Sequence, residues 1–223
     1  MSNLGRTGEP LVIPSNVTNL EKYCFQNCTS LKEIQVACDQ SGENPQPTIK
    51  KVSWNVFYNC TNLEKIKWDL TNCTSFSSSV FYNCTNLTED ATSTLGENYH
   101  TINTSTYANC TGLTSVTINK GITSISSSAF VRCSNLDTVN FEEGRDSNCS
   151  IGAYAFKDCA KLKSIDLPTT VTTLNEQSFA GCTTLGTTGH DFHLPNRSSV
   201  TIYKNGLDWQ PNHKVLQSKC YKG

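Results

Sequence analysis

The sequence has no long hydrophobic run and little charge. No apolar stretch approaches the roughly 20 residues that a membrane-spanning helix needs, so the sequence predicts no membrane insertion. Its first ten residues lack an apolar core, and we expect a secretory signal to be absent or to have been removed. Only 17% of the residues are charged and the net charge is −1, which gives no electrostatic reason to expect nucleic acid as a partner.

Motifs of catalysis are missing as well. The sequence contains no G-x-S-x-G, no P-loop, no H-E-x-x-H and no dinucleotide-binding fingerprint. It has twelve cysteines but no C-x2-C pair, the spacing that would favour a zinc site. We therefore predict no catalytic residues, no cofactor and no metal site.

What the sequence does contain is one short pattern, repeated. The clearest copy starts at Phe156 and has the form F-x2-C-x2-L-x2-I-x-L-P-x2-V-x2-L. The same frame starts again at Phe25, Phe57, Phe81, Tyr107, Phe130 and Phe179. A fixed short period is the signature of a stacked repeat, in which each coil buries its apolar edge only against its neighbours.

The repeat divides the chain into three parts. Residues 11–203 are predicted to form a solenoid of about seven coils of 23–26 residues, one of them longer, with a surface loop around residues 42–47. Residues 1–10 form a polar N-terminal segment, and residues 204–223 leave the pattern as a C-terminal tail or cap. Because the pattern begins halfway through a coil, the N-terminal coil is expected to be uncapped and open to a neighbour.

Each copy predicts two short strands. The run L-x2-I-x-L at residues 162–167 alternates as a strand with one buried face does, and residues 171–174 form a second extended run rich in β-branched side chains. Pro168 marks the turn between them. Stacked coils then place these strands in parallel sheets. The predicted fold class is a mainly β repeat solenoid with few or short helices.

This pattern resembles the BspA-like subclass of leucine-rich repeats, which is found in surface proteins of host-associated bacteria and some parasitic protists. The resemblance covers nearly the whole chain. It implies a right-handed solenoid, often on a cell surface, that mediates adhesion or protein binding without catalysis. It implies no particular ligand.

Seven cysteines share one repeat position, three residues after the aromatic residue and three before the leucine: Cys28, Cys60, Cys84, Cys110, Cys133, Cys159 and Cys182. Stacked in register, they predict an inward ladder of small apolar thiols. Disulfides between adjacent coils are the alternative, because spacing alone does not exclude the specific sulfur geometry that they need.

Acceptor sequences for N-glycosylation, Asn-x-Ser/Thr, occur at Asn16, Asn27, Asn59, Asn72, Asn83, Asn86, Asn103, Asn109, Asn148 and Asn196. Four of them are the repeated N-C-T that follows the aromatic residue of a coil, where asparagine can instead satisfy backbone groups of a turn. We favour turn chemistry, with a glycosylated fibre as the alternative.

Two surfaces are predicted to bind a partner. Trp54, Tyr58 and Tyr82 occupy positions that other coils fill with small or polar residues, so we expect an exposed aromatic patch of the kind that anchors a partner. The outward positions of the first strand add polar and charged candidates: Lys65, Lys67, Thr117, Asn140 and Asp166.

These observations predict a non-enzymatic scaffold, at the cell surface or secreted, that binds a protein or glycan on another cell or matrix. Two alternatives stay open. Head-to-tail contacts through the uncapped N-terminal coil would build filaments. A missing signal together with free thiols would suit a cytoplasmic scaffold instead.

Overall fold

The protein is a coil of short parallel strands. The computed structural model describes residues 10–36, 49–68, 70, 72–88, 99–185 and 187, together with strand segments at 192–194, 201–202 and 215–217. These residues contain no α-helix. In this part of the chain, the strands are β1 (Leu11–Ile13), β2 (Asn19–Leu20), β3 (Glu33–Val36), β4 (Lys51–Val52), β5 (Lys65–Lys67), β6 (Ser75–Phe76), β7 (Thr101–Ile102), β8 (Ser115–Ile118), β9 (Ser124–Ile125), β10 (Thr138–Phe141), β11 (Cys149–Ile151), β12 (Ser164–Asp166), β13 (Val171–Leu174), β14 (Phe192–Leu194), β15 (Thr201–Ile202) and β16 (Val215–Gln217).

The strands form two faces of the coil, and each face is divided into two parallel sheets. One face contains the orders β1-β3-β5 and β8-β10-β12-β14-β16, and the other contains β2-β4-β6 and β7-β9-β11-β13-β15. In β8, Val116 and Ile118 are buried while Ser115 and Thr117 are not. The prediction of two strands per coil, each with one buried face, is thereby confirmed, as is the solenoid fold.

A third side of the coil consists of six-residue turn segments, one per coil, at residues 22–27, 54–59, 78–83, 104–109, 127–132, 153–158 and 176–181. The backbone N–H groups at the second, fourth and sixth positions donate to carbonyl oxygens of the next segment, with N···O distances of 2.7 to 3.4 Å. This hydrogen-bond ladder continues from the first segment to the seventh. On the second strand face, by contrast, β6 and β7 lie in different sheets, so this face is interrupted between them.

The second and sixth positions of every turn segment have a positive φ, between 49° and 75°. Among non-glycine residues, asparagine and aspartate tolerate this left-handed conformation best. Asparagine fills the sixth position in the first four segments, at Asn27, Asn59, Asn83 and Asn109. The backbone therefore gives a reason for the repeated asparagine before cysteine, and glycosylation of these residues stays a prediction.

The fourth position of each turn segment carries the aromatic residue of the repeat. Successive rings, from Phe25 to Phe179, stack with centroid separations of 5.2 to 5.6 Å and planes within 24° of each other. From Phe57 onwards these side chains are buried. The stacked rings thus form a continuous column along one side of the core.

The cysteine that follows each turn segment lies beside this column. From Cys60 to Cys182 the thiol is buried and donates to the carbonyl oxygen of the aromatic residue in the preceding coil, with S···O distances of 3.0 to 3.2 Å. Burial raises the pKa of Cys60 and Cys133 to about 12. All ten cysteines in the described residues are free, so this part of the chain contains a thiol ladder without disulfides. Cys28 is only half-buried, because a single neighbouring coil covers it.

Side chains bridge the second strand face where it is interrupted. The Tyr99 hydroxyl donates to the carbonyl oxygen of Phe76 at 2.6 Å, and the Asn103 amide donates to the same oxygen. In this same region the chain needs glycine, because a Cβ at Gly112 would lie 2.7 Å from the carbonyl oxygen of Leu87. The stack therefore continues through the interruption on the backbone bonds of the turn segments, to which these side-chain bonds are added.

Some predictions lie outside the described residues. The polar segment before residue 10, the loop around residues 42–47 and Asn196 are in this group. The tail predicted as a cap contributes one described strand, β16, which pairs with β14. Within the described residues, no helix has the length and apolarity needed to cross a membrane.

Candidate binding face

The first, second, fifth and sixth positions of the turn segments carry the residues that reach solvent. In the first three segments, four of these positions are aromatic: Tyr23, Trp54, Tyr58 and Tyr82, which we call the aromatic face. The Trp54 side chain is 61% exposed and Tyr23 is 47% exposed. Large aromatic groups with this exposure are the usual anchors of protein and ligand contacts.

Tyr58 and Tyr82 are half-buried, and to that extent the expectation of full exposure was wrong. Their rings stack with a centroid separation of 4.7 Å and an angle of 3° between planes, so each ring covers the other. Trp54 and Tyr23 make no contact with another aromatic ring within the described residues, and both side chains are exposed. The aromatic face thus combines a fixed stack with two exposed rings.

Three asparagines line the aromatic face and form what we call the amide ladder: Asn27, Asn59 and Asn83. The Asn59 Nδ2 donates to Asn27 Oδ1 at 2.9 Å, and the Asn83 Nδ2 donates to Asn59 Oδ1 at 2.6 Å. A carboxamide has two N–H donors and two acceptor lone pairs. Asn59, in the middle, therefore keeps one donor and one lone pair that the ladder does not use.

Charge is distributed unequally over the outward positions of the turn segments. The first four segments contain one charged residue there, Lys22. The last three contain four: Arg132, Lys157, Asp158 and Glu176. In that charged half, the Lys157 ammonium lies 5.3 Å from the centroid of the Tyr154 ring and covers it. Exposed aromatic rings are therefore confined to the uncharged half.

The first-strand candidates lie on a different side of the coil. Lys65 and Lys67 are exposed on β5, where the Lys67 Nζ lies 2.7 Å from Glu33 Oε1. The pKa of Glu33 is lowered by a hydrogen bond from Gln35 and by the interaction with Lys67. These charges are largely matched within the protein.

Thr117, Asn140 and Asp166 lie on β8, β10 and β12, in the five-stranded sheet. Thr117 and Asn140 are register neighbours. The predicted binding residues therefore form three groups, on the aromatic face, on β5 and on this sheet. They do not form one site.

The remaining glycosylation candidates differ in their surroundings. Asn16, Asn72, Asn86 and Asn148 are exposed. Asn103 is half-buried and its amide donates to Phe76 and Tyr99. Modification of all these residues stays a prediction.

Two shallow polar grooves also occur on the surface. One, of about 560 Å³, is lined by residues including Glu64, Thr88 and Gly112, and the other, of about 470 Å³, by residues including His100 and Asp146. No cluster of three or more His, Cys, Asp or Glu side chains in the described residues is arranged to hold a metal ion. Neither groove is lined by Trp, Tyr or Phe, or by a buried polar group that would select a ligand.

Comparison with known proteins agrees with this architecture. A family model described as the BspA type leucine rich repeat region matches in six copies, over residues 7–136 and 90–200. The chain belongs to the BspA-type leucine-rich repeat family. No curated protein matches it.

Solved structures share the BspA-type fold of this chain. A leucine-rich repeat protein from Bacteroides ovatus is 20% identical with a TM-score of 0.65, and the match covers 90% of this chain and 55% of that one. A leucine-rich repeat protein from Eubacterium ventriosum is 19% identical with a TM-score of 0.51, and the match covers 77% of this chain and 58% of that one. A leucine-rich repeat protein from T. pallidum is 19% identical with a TM-score of 0.50, and the match covers 79% of this chain and 66% of that one. The chain spans about half to two thirds of their lengths.

Sequence reasoning missed two parts of the candidate face in this BspA-type repeat. Tyr23 was not identified, although it fills a position that three other coils fill with serine. The amide ladder was interpreted only as turn chemistry or glycosylation. Aligning the outward positions of all seven turn segments would have shown both, together with the separation of charge.

Proposed function

We propose that this BspA-type repeat protein is a non-enzymatic recognition scaffold, at the cell surface or secreted, that mediates adhesion by binding a protein or glycan through the aromatic face. The supporting observation is the composition of the outward positions in the first four turn segments, which hold Trp, Tyr, Asn, Ser, Thr and Gln with one charge, Lys22, and one buried alanine, Ala108. Antibody binding loops use a similar set, because Tyr and Trp supply contact area at low entropic cost while Ser and Asn adapt their hydrogen bonds.

The fold does not require these aromatic residues. At the positions of Trp54 and Tyr82, other coils have alanine, at Ala153 and Ala108, with the same backbone hydrogen bonds between coils. A rigid ladder beneath the face also lets a partner bind with little change of shape. The chain belongs to the BspA-type family, and its repeat resembles that of surface proteins of host-associated bacteria. This resemblance supports the proposed location.

A bead assay tests the adhesive role. Beads coated with the full chain should adhere to intact epithelial monolayers, and beads coated with Trp54→Ala should adhere several-fold less. Tyr154→Ala is the matched control, because it removes an outward aromatic residue from the charged half. Adhesion no greater than that of beads coated with the heat-unfolded chain would refute the proposal.

The filament alternative makes a different prediction about size. A recognition scaffold should sediment with the same coefficient over a hundredfold range of protein concentration. Head-to-tail assembly should instead give particles that grow continuously with concentration. Analytical ultracentrifugation of the full chain separates these outcomes.

A further inference from the structure

We infer that the ligand of the aromatic face is a neutral, extended oligosaccharide. This inference rests on the proposed recognition function and specifies its partner. The first step is the exposure of Trp54 and Tyr23, which are 61% and 47% exposed and make no contact with another aromatic ring in the described residues. Pyranose rings have an apolar face of C–H groups, and such a face packs against an open aromatic ring with its hydroxyl groups left at the edge.

The second step is the amide ladder, which lies at the other end of the same turn segments. The bonds Asn83 to Asn59 and Asn59 to Asn27 fix the orientation of the carboxamides. Asn59 still offers one N–H donor and one lone pair, close together and in a fixed direction. Neighbouring sugar hydroxyls present the complementary pair of an acceptor and a donor. Because the amides are already ordered, binding loses less side-chain entropy.

The third step is charge. Lys22 is the single charged residue among the outward positions of the first four turn segments, while the last three segments hold four. At the edge of the face, Glu21 and Lys51 lie 3.5 Å apart and neutralise each other. An acidic polymer would need arginine or lysine side chains to pair with its anionic groups. The face therefore fits an uncharged ligand.

The fourth step is the spacing along the coil. Tyr58 and Tyr82 lie 4.7 Å apart, and the amide ladder advances by one coil for each asparagine. This advance is close to the length of one pyranose unit in an extended glycan. A linear oligosaccharide lying parallel to the solenoid axis would place successive sugar units over successive coils.

Isothermal titration of the full chain with cellotetraose and β-1,4-mannotetraose tests the inference, with tetragalacturonate as the charged ligand of equal length. At least one neutral tetrasaccharide should bind, and Trp54→Ala should weaken its binding about tenfold or more, as loss of an aromatic anchor does. Tyr154→Ala, in the charged half, should change the affinity less than twofold. Circular dichroism of each variant shows whether the fold is retained.

Three results would overturn the inference: no binding of either neutral tetrasaccharide, binding that Trp54→Ala leaves unchanged, or equal binding of tetragalacturonate. The bead assay distinguishes this failure from failure of the proposed function. Adhesion that depends on Trp54 but that no neutral oligosaccharide inhibits would leave the scaffold role intact and point to a protein partner. Sugar binding without bead adhesion would instead count against adhesion alone.

Discussion

The inner and outer sides of the same seven turn segments differ in how strictly they repeat. On the inner side, the fourth position is always Phe or Tyr, and a cysteine always follows the sixth. On the outer side, the first position changes from lysine to tryptophan, serine, threonine, alanine and glutamate. The backbone hydrogen bonds between segments are the same throughout.

This difference separates what the fold needs from what it permits. The inner residues fill a column one ring wide, so every coil must supply a ring of similar size. The outer residues face solvent, where exposed substitutions change stability little. The backbone accounts for the asparagines, whereas the concentration of Trp and Tyr in one half of the outer side is not a requirement of stacking and is consistent with the proposed binding role.

The largest effect is expected from emptying the inner column. Phe130 is fully buried and lies 5.2 Å from both the Tyr107 and the Phe156 rings. Phe130→Ala should lower the free energy of unfolding by about 3–5 kcal/mol, because it leaves a cavity that the rigid ladder cannot close. Urea unfolding followed by circular dichroism measures this loss.

The control for this prediction is the next residue, Val131, which belongs to the outer side and is half-buried. Val131→Ala should cost about 1 kcal/mol or less, since it removes a small side-chain volume that is already partly in contact with water. Equal losses in the two variants would contradict the distinction between inner and outer positions.

A smaller effect is expected at Gly112, three residues after the fourth turn segment. A Cβ at Gly112 would lie 2.7 Å from the carbonyl oxygen of Leu87 and 2.8 Å from the carbonyl carbon of Asn86. These backbone atoms cannot rotate away, so Gly112→Ala should cost about 1–3 kcal/mol through overpacking. Asn86→Ala, at the same repeat position one coil earlier and exposed, should stay within about 0.5 kcal/mol. Thermal unfolding compares the two.

The inner side could be predicted from the sequence because its physics is local and repetitive. A ring, a thiol and a leucine at three-residue spacing, followed by alternating strands, are sufficient to identify the buried positions. The strands β12 and β13 lie where residues 162–174 predicted them.

The side-chain bonds that bridge the second strand face could not be predicted. Tyr99 and Asn103 reach the carbonyl oxygen of Phe76 from another coil, and a side-chain bond over that sequence distance leaves no periodic signal. The stacking of Tyr58 on Tyr82 was not predicted for a related reason: the repeat position of a residue indicates whether it is exposed, but not whether two outward rings contact each other. The amide ladder needs the left-handed backbone at Asn27, which the pattern alone does not specify.

The buried thiol ladder makes the stability of the inner side depend on pH. An unfolded cysteine ionises near pH 8.5, whereas burial raises the pKa of Cys133 to about 12. Below pH 8 both states keep the proton and the full stability is present. Above the unfolded pKa only the unfolded state loses it, so each buried thiol should lower the free energy of unfolding by up to about 1.4 kcal/mol per pH unit.

Cys133→Ser isolates this contribution, because the hydroxyl can still donate to the Tyr107 carbonyl oxygen but does not ionise in this range. Between pH 9 and pH 10, the free energy of unfolding of the variant should fall by about 1 kcal/mol less than that of the unsubstituted chain. Between pH 6 and pH 8, the free energies of unfolding of the two proteins should change in parallel. Urea titrations at each pH measure the slopes. Identical slopes above pH 9 would show that Cys133 ionises in the fold and is not sealed within the column.

The smallest effect is expected at the most exposed aromatic residue. Trp54 is 61% exposed, and Ala153 fills the same position four coils later. Trp54→Ala should therefore change the free energy of unfolding by less than about 0.5 kcal/mol. Tyr82→Ala, which also removes the stack with Tyr58, should cost about 0.5–1.5 kcal/mol more. If urea unfolding showed a loss above about 1 kcal/mol for Trp54→Ala, the indole would belong to the fold, and its place among the outer residues would no longer argue for a binding role.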